Sequence, residues 1–352
     1  MAPDSRFWRH QLGEASKRGR SHMMLRTTLP VFLLFTFITS QTKAKTEPVT
    51  GSCSVLASYK FRQDTLQGNV AAHASFSRTP VLSHTSPTGP WSSKIQIQIP
   101  DEPTIQRYIR HFEGEGRITM EQALERSRPY LPVMTEILES HGVPAELIAV
   151  VSIESCFDRE ASYRGAGGYW QLLAATARKM GLRVDRWVDE RFDPVKSTEA
   201  AAKYLRLYYN RFHSWELALA AYNAGGDKVS KALDKRGSTN FWELARRGSL
   251  PARTQAYVPR VLAAAKIMRN LEAHGFDYPR GTPVYDFEPV RVKSALKLQE
   301  IARWINVPMN TLQDLNPSLR LDALPPDCNV NLNIPSGARD KFDLAYEKHL
   351  RR

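Results

Sequence analysis

The sequence is poor in cysteine, with only Cys53, Cys156 and Cys328 among 352 residues. Their spacing indicates no metal site, and nothing else in the chain calls for a cofactor. Export to an oxidising compartment would allow a disulfide. Cys156 follows a strongly apolar stretch, so we expect it to be a buried free thiol.

No apolar run is long enough for a comfortable membrane span. The longest, residues 29–38, follows a basic stretch and precedes a small-residue cleavage site at 42–44. Residues 1–44 are therefore predicted to be a signal segment, with an uncleaved anchor as the alternative. The stretch 50–53 resembles a lipoprotein box only loosely, because it begins with Thr. We expect export to the periplasm or cell envelope, and the sequence leaves membrane attachment open.

Nucleic-acid motifs and clustered basic helices are also absent, although the formal net charge is +13 and the pI is about 9.7. A basic body seeks anionic partners. Nucleic acid, a membrane surface and an acidic polymer are all such partners, and without a nucleic-acid motif an anionic polymer fits at least as well.

Composition divides the chain into five parts. Residues 45–100 are rich in Ser, Thr and Pro and are predicted to be a linker, with a short strand at its end over 94–100. Residues 101–278 have helical periodicity, and 337–352 form a charged helical tail. Between them, residues 283–336 show the order strand, helix, helix, strand. The expected fold class is mainly α, followed by a small α+β module.

Caps and apolar spacing place the helices of the larger domain. The first begins at Pro103, and the others are predicted over about 119–141, 194–211, 215–223 and 251–274. Ile105, Tyr108 and Ile109 share one face of the first helix. Asp193 and Ser214 are expected to cap two others, and Gly225 with Gly226 to stop one.

A buried central helix is predicted over 144–154. Pro144 suits its first turn, and Glu154 is its only strong acid after that turn. Apolar surroundings and the helix C-terminus both disfavour the charged form, so the pKa of Glu154 should lie above its usual value. A Glu of this kind can serve as a general acid at neutral pH. The alternative is a solvated residue at the helix end.

A glycine-rich stretch follows, in which Gly165, Gly167 and Gly168 would let the backbone approach a ligand. Tyr169 and Trp170 offer flat apolar faces, and Gln171 offers an amide, which together suit sugars with N-acetyl groups. A tight loop anchored in the core is the alternative.

Four ordered motifs carry a resemblance to a known family. They are Glu154-Ser155, Gly165 to Gln171, Ala221 to Gly225, and Tyr257-Val258-Pro259. In this order and spacing, the chain resembles the lytic transglycosylases with a goose-type-lysozyme fold, and most of all the membrane-bound murein transglycosylase D group. Residues 283–336 resemble a diverged LysM-type wall-binding module.

The resemblance implies a function and a set of site residues. Glu154 would act as acid and then base, cleaving the bond between N-acetylmuramic acid and N-acetylglucosamine and leaving 1,6-anhydromuramic ends. The implied substrate-binding residues are Ser162, Gly168, Tyr169, Trp170, Gln171, Tyr222, Asn223 and Tyr257. Neither a metal nor a cofactor is implied. The expected partner is peptidoglycan, bound by a monomer.

Three positions depart from the family pattern. Tyr169 replaces an aliphatic residue, Asp158 stands where Asn is usual, and Arg253 stands where Glu is usual. Two other functions stay open: a lysozyme-type hydrolase on the same fold, which would need a second carboxylate such as Asp158 or Asp193, and a non-catalytic wall-binding protein.

Overall fold

The computed structural model describes residues 95–278, 287–327 and 330–351. The predicted signal segment, nearly all of the predicted linker, Cys53 and Cys328 lie outside these residues. Within the described part, no helix has both the length and the apolar character needed to cross a membrane.

The first described part is helical, apart from one small sheet. Its α-helices are α1 Pro103–Glu113, α2 Arg117–Ser127, α3 Leu131–Ser140, α4 Ala149–Glu154, α5 Ala174–Lys179, α6 Pro194–Phe212, α7 Trp215–Ala224, α8 Gly226–Arg236, α9 Phe241–Arg246 and α10 Ala252–Arg269. Short 3₁₀ helices span Ala145–Ile148, Glu190–Phe192 and Glu272–His274. The sheet has the order β1 Ser162–Tyr163, β2 Ala166–Gly167 and β3 Leu172–Leu173, with both pairs antiparallel.

The predicted caps are present. Asp193 Oδ1 accepts hydrogen bonds from the N–H groups of Val195 and Lys196 at the start of α6. Ser214 accepts from Leu217 N–H at the start of α7. These bonds satisfy N–H groups that have no partner inside the helix. Both helix starts were therefore predicted correctly from local sequence.

Four predicted elements need correction. The helix expected over 119–141 is two helices, α2 and α3, because Pro129 has no N–H to continue the ladder. The helix expected to reach residue 274 ends at Arg269 and is followed by a 3₁₀ turn. Gly225, with φ +92°, ends α7, whereas Gly226 already begins α8. The strand expected over 94–100 is coil in its described residues, although its Ile97 side chain is buried.

The central helix begins with the 3₁₀ turn after Pro144 and continues as α4. Every residue from Ala145 to Ile153 is buried, as the apolar run predicts. Alpha helix α10 packs along both the 3₁₀ turn and α4. Glu154 is the last residue of α4 and is half-buried, so the central helix ends with a partly accessible carboxyl group.

The C-terminal part has the predicted order strand, helix, helix, strand, in β4 Phe287–Val292, α11 Leu298–Ile305, α12 Met309–Leu315 and β5 Val330–Pro335. The two strands pair antiparallel, from Phe287 opposite Pro335 to Val292 opposite Val330. Helix α13 Arg339–Leu350 packs on α11 through buried Phe342 and Tyr346.

Candidate active site

Glu154 lies at the C-terminal end of the central helix. Burial raises the pKa of its carboxyl from 4.5 to about 7, against the opposing effects of Tyr257, Arg253 and Arg260. The effect of desolvation on the pKa of Glu154 is thus larger than the opposite effect of the positive charges of Arg253 and Arg260. The predicted rise in pKa is confirmed, and the carboxyl can hold a proton near neutral pH.

Two tyrosines lie beside this carboxyl. Burial, followed by the charge of Glu154, raises the pKa of both Tyr222 and Tyr257 well above 10. The Tyr222 hydroxyl donates to the Trp170 carbonyl at 2.7 Å. Among described residues, the Tyr257 hydroxyl has no partner with full hydrogen-bond geometry, yet it lies near enough to Glu154 to lower the pKa of that carboxyl. Both phenols therefore stay neutral. The single Tyr222 proton is already donated to Trp170, whereas the Tyr257 hydroxyl can still donate a hydrogen bond.

The glycine-rich segment, residues 162–173, forms the small sheet next to the acid. Gly168 has φ +72°, and a Cβ there would lie 1.8 Å from the Arg191 carbonyl oxygen. A Cβ on Gly167 would lie 3.2 Å from the Phe192 ring. The close approach at these glycines is therefore to residues 191 and 192, which corrects the interpretation that they are needed for a ligand.

Tyr169 and Trp170 do not expose their ring faces. Both side chains are 0% accessible. The Tyr169 ring packs on Tyr130 with centroids 5.1 Å apart, and Trp170 Nε1 donates to Thr198 Oγ1 at 2.9 Å. The expectation that these rings stack on a sugar is wrong, because both rings are buried in the core.

The side-chain amide of Gln171 links two parts of the same loop. Its Nε2 donates to the carbonyls of Ala161 at 2.9 Å and Gly168 at 2.8 Å. The residue has φ +46°, a left-handed conformation that is unusual for a residue other than glycine. The amide nitrogen is thus engaged in shaping the loop, which leaves the carbonyl end of the side chain for other contacts.

Ser162 lies in the first strand of the small sheet, and Asn223 lies in the last turn of α7. Ser162 is exposed, and its hydroxyl donates to the Ala166 carbonyl at 3.3 Å. Asn223 Oδ1 accepts from Thr254 Oγ1 at 3.0 Å, and its backbone carbonyl accepts from Arg253 Nη2 at 3.5 Å. Arg253 thereby joins α7 to the start of α10.

No second carboxylate acts on Glu154 among the described groups that shift its pKa. Asp158 accepts a hydrogen bond from Glu160 N–H at 3.0 Å in the turn that follows α4. Its charge adds to the burial that raises the pKa of Cys156 to about 11. Asp193 is engaged as the cap of α6. Neither residue is among the groups that shift the pKa of Glu154.

Sequence reasoning gave no role to several residues of this site. Ser155 donates to the Tyr169 carbonyl at 2.8 Å, and Arg191 donates to the carbonyls of Gly165 and Leu172. Arg260, on α10, is near enough to Glu154 for its charge to lower the pKa of that carboxyl. Only the position of Ser155 next to the acid could have suggested its role. In the part of the chain that the structure describes, no group of three or more His, Cys, Asp or Glu side chains could hold a metal ion.

Comparisons with known proteins agree with the motifs. Residues 134–245 match the Transglycosylase SLT domain, and residues 286–350 match the LysM-like domain of lytic transglycosylase MltD. The chain is 30% identical over 237 residues to membrane-bound lytic murein transglycosylase D of Escherichia coli K12, covering 64% of this chain and 50% of that protein. It is 26% identical over 228 residues to membrane-bound lytic murein transglycosylase F of Stutzerimonas stutzeri, covering 60% and 43%.

The chain thus spans about half the length of the curated relatives it matches. Among solved structures, the 70 kDa soluble lytic transglycosylase Slt70 from Escherichia coli aligns with a TM-score of 0.39 and 19% identity, over 51% of this chain and 32% of that one.

The SLT match spans Glu154, the glycine-rich segment and Tyr222 with Asn223, and the LysM-like match spans the C-terminal strands and helices. The chain therefore carries a transglycosylase SLT domain followed by a LysM-like domain, and over these residues it is similar to the membrane-bound lytic murein transglycosylases.

Proposed function

We propose that the chain is a peptidoglycan lytic transglycosylase that cleaves the β-1,4 bond between N-acetylmuramic acid and N-acetylglucosamine and leaves 1,6-anhydromuramic ends. The observation that carries this proposal is Glu154, an acid with a pKa of about 7 at the end of a buried helix. The names of the relatives support the substrate class.

One carboxyl can perform both proton transfers. The protonated Glu154 gives its proton to the glycosidic oxygen as the bond from that oxygen to the anomeric carbon breaks. The resulting carboxylate then takes the proton of the muramic 6-hydroxyl, whose oxygen bonds to the same anomeric carbon. The 6-hydroxyl is tethered to the reacting ring, so its effective concentration is high without further groups.

The neighbours of Glu154 fit this cycle. Arg253 and Arg260 favour its charged form, which is the form that exists between the two proton transfers. Tyr257 stays neutral and can donate a hydrogen bond to a substrate oxygen, and Tyr222, whose proton is donated to the Trp170 carbonyl, can accept one. We further propose that Ser162, Gln171 and Asn223 contact the sugar substituents, and that Gly168, Tyr169 and Trp170 act by shaping the cleft wall.

A hydrolase on the same fold is the second candidate. It would hold a water with a second carboxylate about 5–9.5 Å from the acid. Asp158, the nearest such residue in sequence, accepts a backbone hydrogen bond in its own turn. This geometry favours the internal 6-hydroxyl over water.

Digestion of purified peptidoglycan in ¹⁸O-labelled water, followed by mass spectrometry, separates the two reactions. We expect unlabelled anhydromuramic ends from the parent and from Asp158→Asn. Glu154→Gln should lose about 10²–10⁴-fold in rate, since general acid–base action contributes that much. Labelled, reducible ends that disappear in Asp158→Asn would instead identify a hydrolase. Wall clearance by Glu154→Gln at the parent's rate would remove Glu154 from the mechanism.

For the LysM-like domain we propose binding to the same polymer. The Glu154→Gln chain should sediment with insoluble peptidoglycan, and a chain ending at residue 278 should sediment less. Equal sedimentation of the two chains would reject a binding role.

We also propose export to the periplasm or cell envelope, on the strength of residues 1–44 and of relatives named as membrane-bound. A fused reporter that is active only outside the cytoplasm tests this. Silence of the reporter, with the fusion intact in the cytoplasm, would overturn it.

A further inference from the structure

The LysM-like domain contacts the SLT domain through backbone hydrogen bonds. The two partners are here called the docking strand, residues 318–320, and the support segment, residues 187–192. Their contacts are Asp189 N–H to the Ser318 carbonyl at 2.8 Å, Arg320 N–H to the Trp187 carbonyl at 2.9 Å, and an antiparallel bridge between Val188 and Leu319. Paired backbone groups of this kind fix both the distance and the register of two segments.

A side chain strengthens the same contact. The Arg320 guanidinium lies over the Phe192 ring, 4.1 Å from its centroid, and Phe192 is 5% exposed. A cation over a partly desolvated ring is attracted by the ring's negative face. Phe192 also packs against Gly167, as described above, so one ring contacts both the LysM-like domain and the glycine-rich segment.

The support segment then holds the glycine-rich segment through Arg191. Its Nη1 donates to the carbonyls of Gly165 at 2.7 Å and Leu172 at 3.0 Å. Its Nε and Nη2 form a two-pronged pair with Asp189 at 2.9 and 2.6 Å. The side chains of Arg191 and Asp189 are only 12% and 10% exposed. A shielded pair of this geometry holds the guanidinium in one orientation.

The glycine-rich segment in turn borders the acid. Its Tyr169 carbonyl accepts from Ser155, the residue after Glu154, and its Trp170 carbonyl accepts from Tyr222. Contacts are therefore continuous from the docking strand to the neighbours of Glu154.

We propose that the LysM-like domain positions the glycine-rich segment at the active site, through the support segment and Arg191. Arg191 is then a positioning residue, and the LysM-like domain contributes to turnover of soluble glycans as well as to any binding of the wall. The kinetic part of this inference rests on the proposed function.

The test uses the full chain with three substitutions. Arg320→Ala removes the cation from Phe192, and Arg191→Lys keeps the charge but loses the fork that reaches two carbonyls and Asp189 together. Asp327→Asn is the matched control, because it breaks an exposed ion pair to Arg183 at 3.0 Å between the same two domains, outside the support segment. Hydrogen–deuterium exchange of residues 162–173 is measured, with kcat and KM on a soluble glycan.

We expect Arg320→Ala and Arg191→Lys to speed exchange in residues 162–173 and to lower kcat/KM at least about tenfold, since small misplacements of positioning groups are costly. Exchange in α10 should match the parent in all three variants. Asp327→Asn should also match the parent in the exchange of residues 162–173, in kcat and in KM. Parent-like exchange in residues 162–173 for both variants would overturn the proposal, as would an equal effect of Asp327→Asn. Because exchange requires no turnover, it decides the coupling even if the parent cleaves no glycan.

Discussion

Replacing the acid should stabilise the protein at alkaline pH. In the folded chain the pKa of Glu154 is about 7, against 4.5 for the free group. Between these values the folded state holds a proton that the unfolded state has lost, so stability falls as pH rises. At about 1.36 kcal/mol per pKa unit, ionising Glu154 in the fold costs roughly 3 kcal/mol. Glu154→Gln removes this cost, because the amide stays neutral.

Denaturant unfolding of the parent and Glu154→Gln at pH 4.5 and pH 8 measures the effect. The stability of the variant relative to the parent should increase by about 3 kcal/mol between the two pH values. Ser162→Ala, which removes no titratable group, should show the same difference from the parent at both. A difference between Glu154→Gln and the parent that does not change with pH would refute the reasoning, whatever the activity of either protein.

Three further outcomes follow from the site. Arg253→Gln removes a cation that lowers the pKa of Glu154, so the alkaline limb of the pH–rate profile should move to higher pH; a limb that stays or moves down would contradict this. Gly168→Ala places a methyl group against the Arg191 carbonyl, so its melting temperature should drop clearly, whereas Ala at Gly165, which meets no atom within 4 Å, should perturb less. Asp193→Ala loses two N-cap bonds and should cost about 1 kcal/mol in chemical denaturation; an unchanged midpoint would show that the cap is dispensable.

The parts of the fold that depend on local sequence were predictable. The buried face of α1, the caps of α6 and α7 and the end of the central helix at Glu154 all follow from residues a few positions apart. The break at Pro129 was visible in the sequence too, but the apolar spacing on both sides of it favoured one continuous helix.

The parts that depend on distant contacts were not predictable. Sequence alone does not tell which way Tyr169 and Trp170 point, and the structure turns both into the core. Arg191 pairs with Asp189 two residues away, but its hydrogen bonds to the carbonyls of Gly165 and Leu172 depend on how the chain folds. Arg260 comes near Glu154 only because α10 packs along α4.

Cys156, two residues after Glu154, should react only slowly with thiol reagents. With a pKa of about 11, on the order of one thiol in ten thousand is a thiolate at pH 7, and the thiolate is the reactive form. The side chain is also 7% exposed. An alkylating reagent should therefore modify Cys156 only when the backbone after Glu154 opens. The rate of modification at Cys156 then reports how often this segment separates from the end of the central helix.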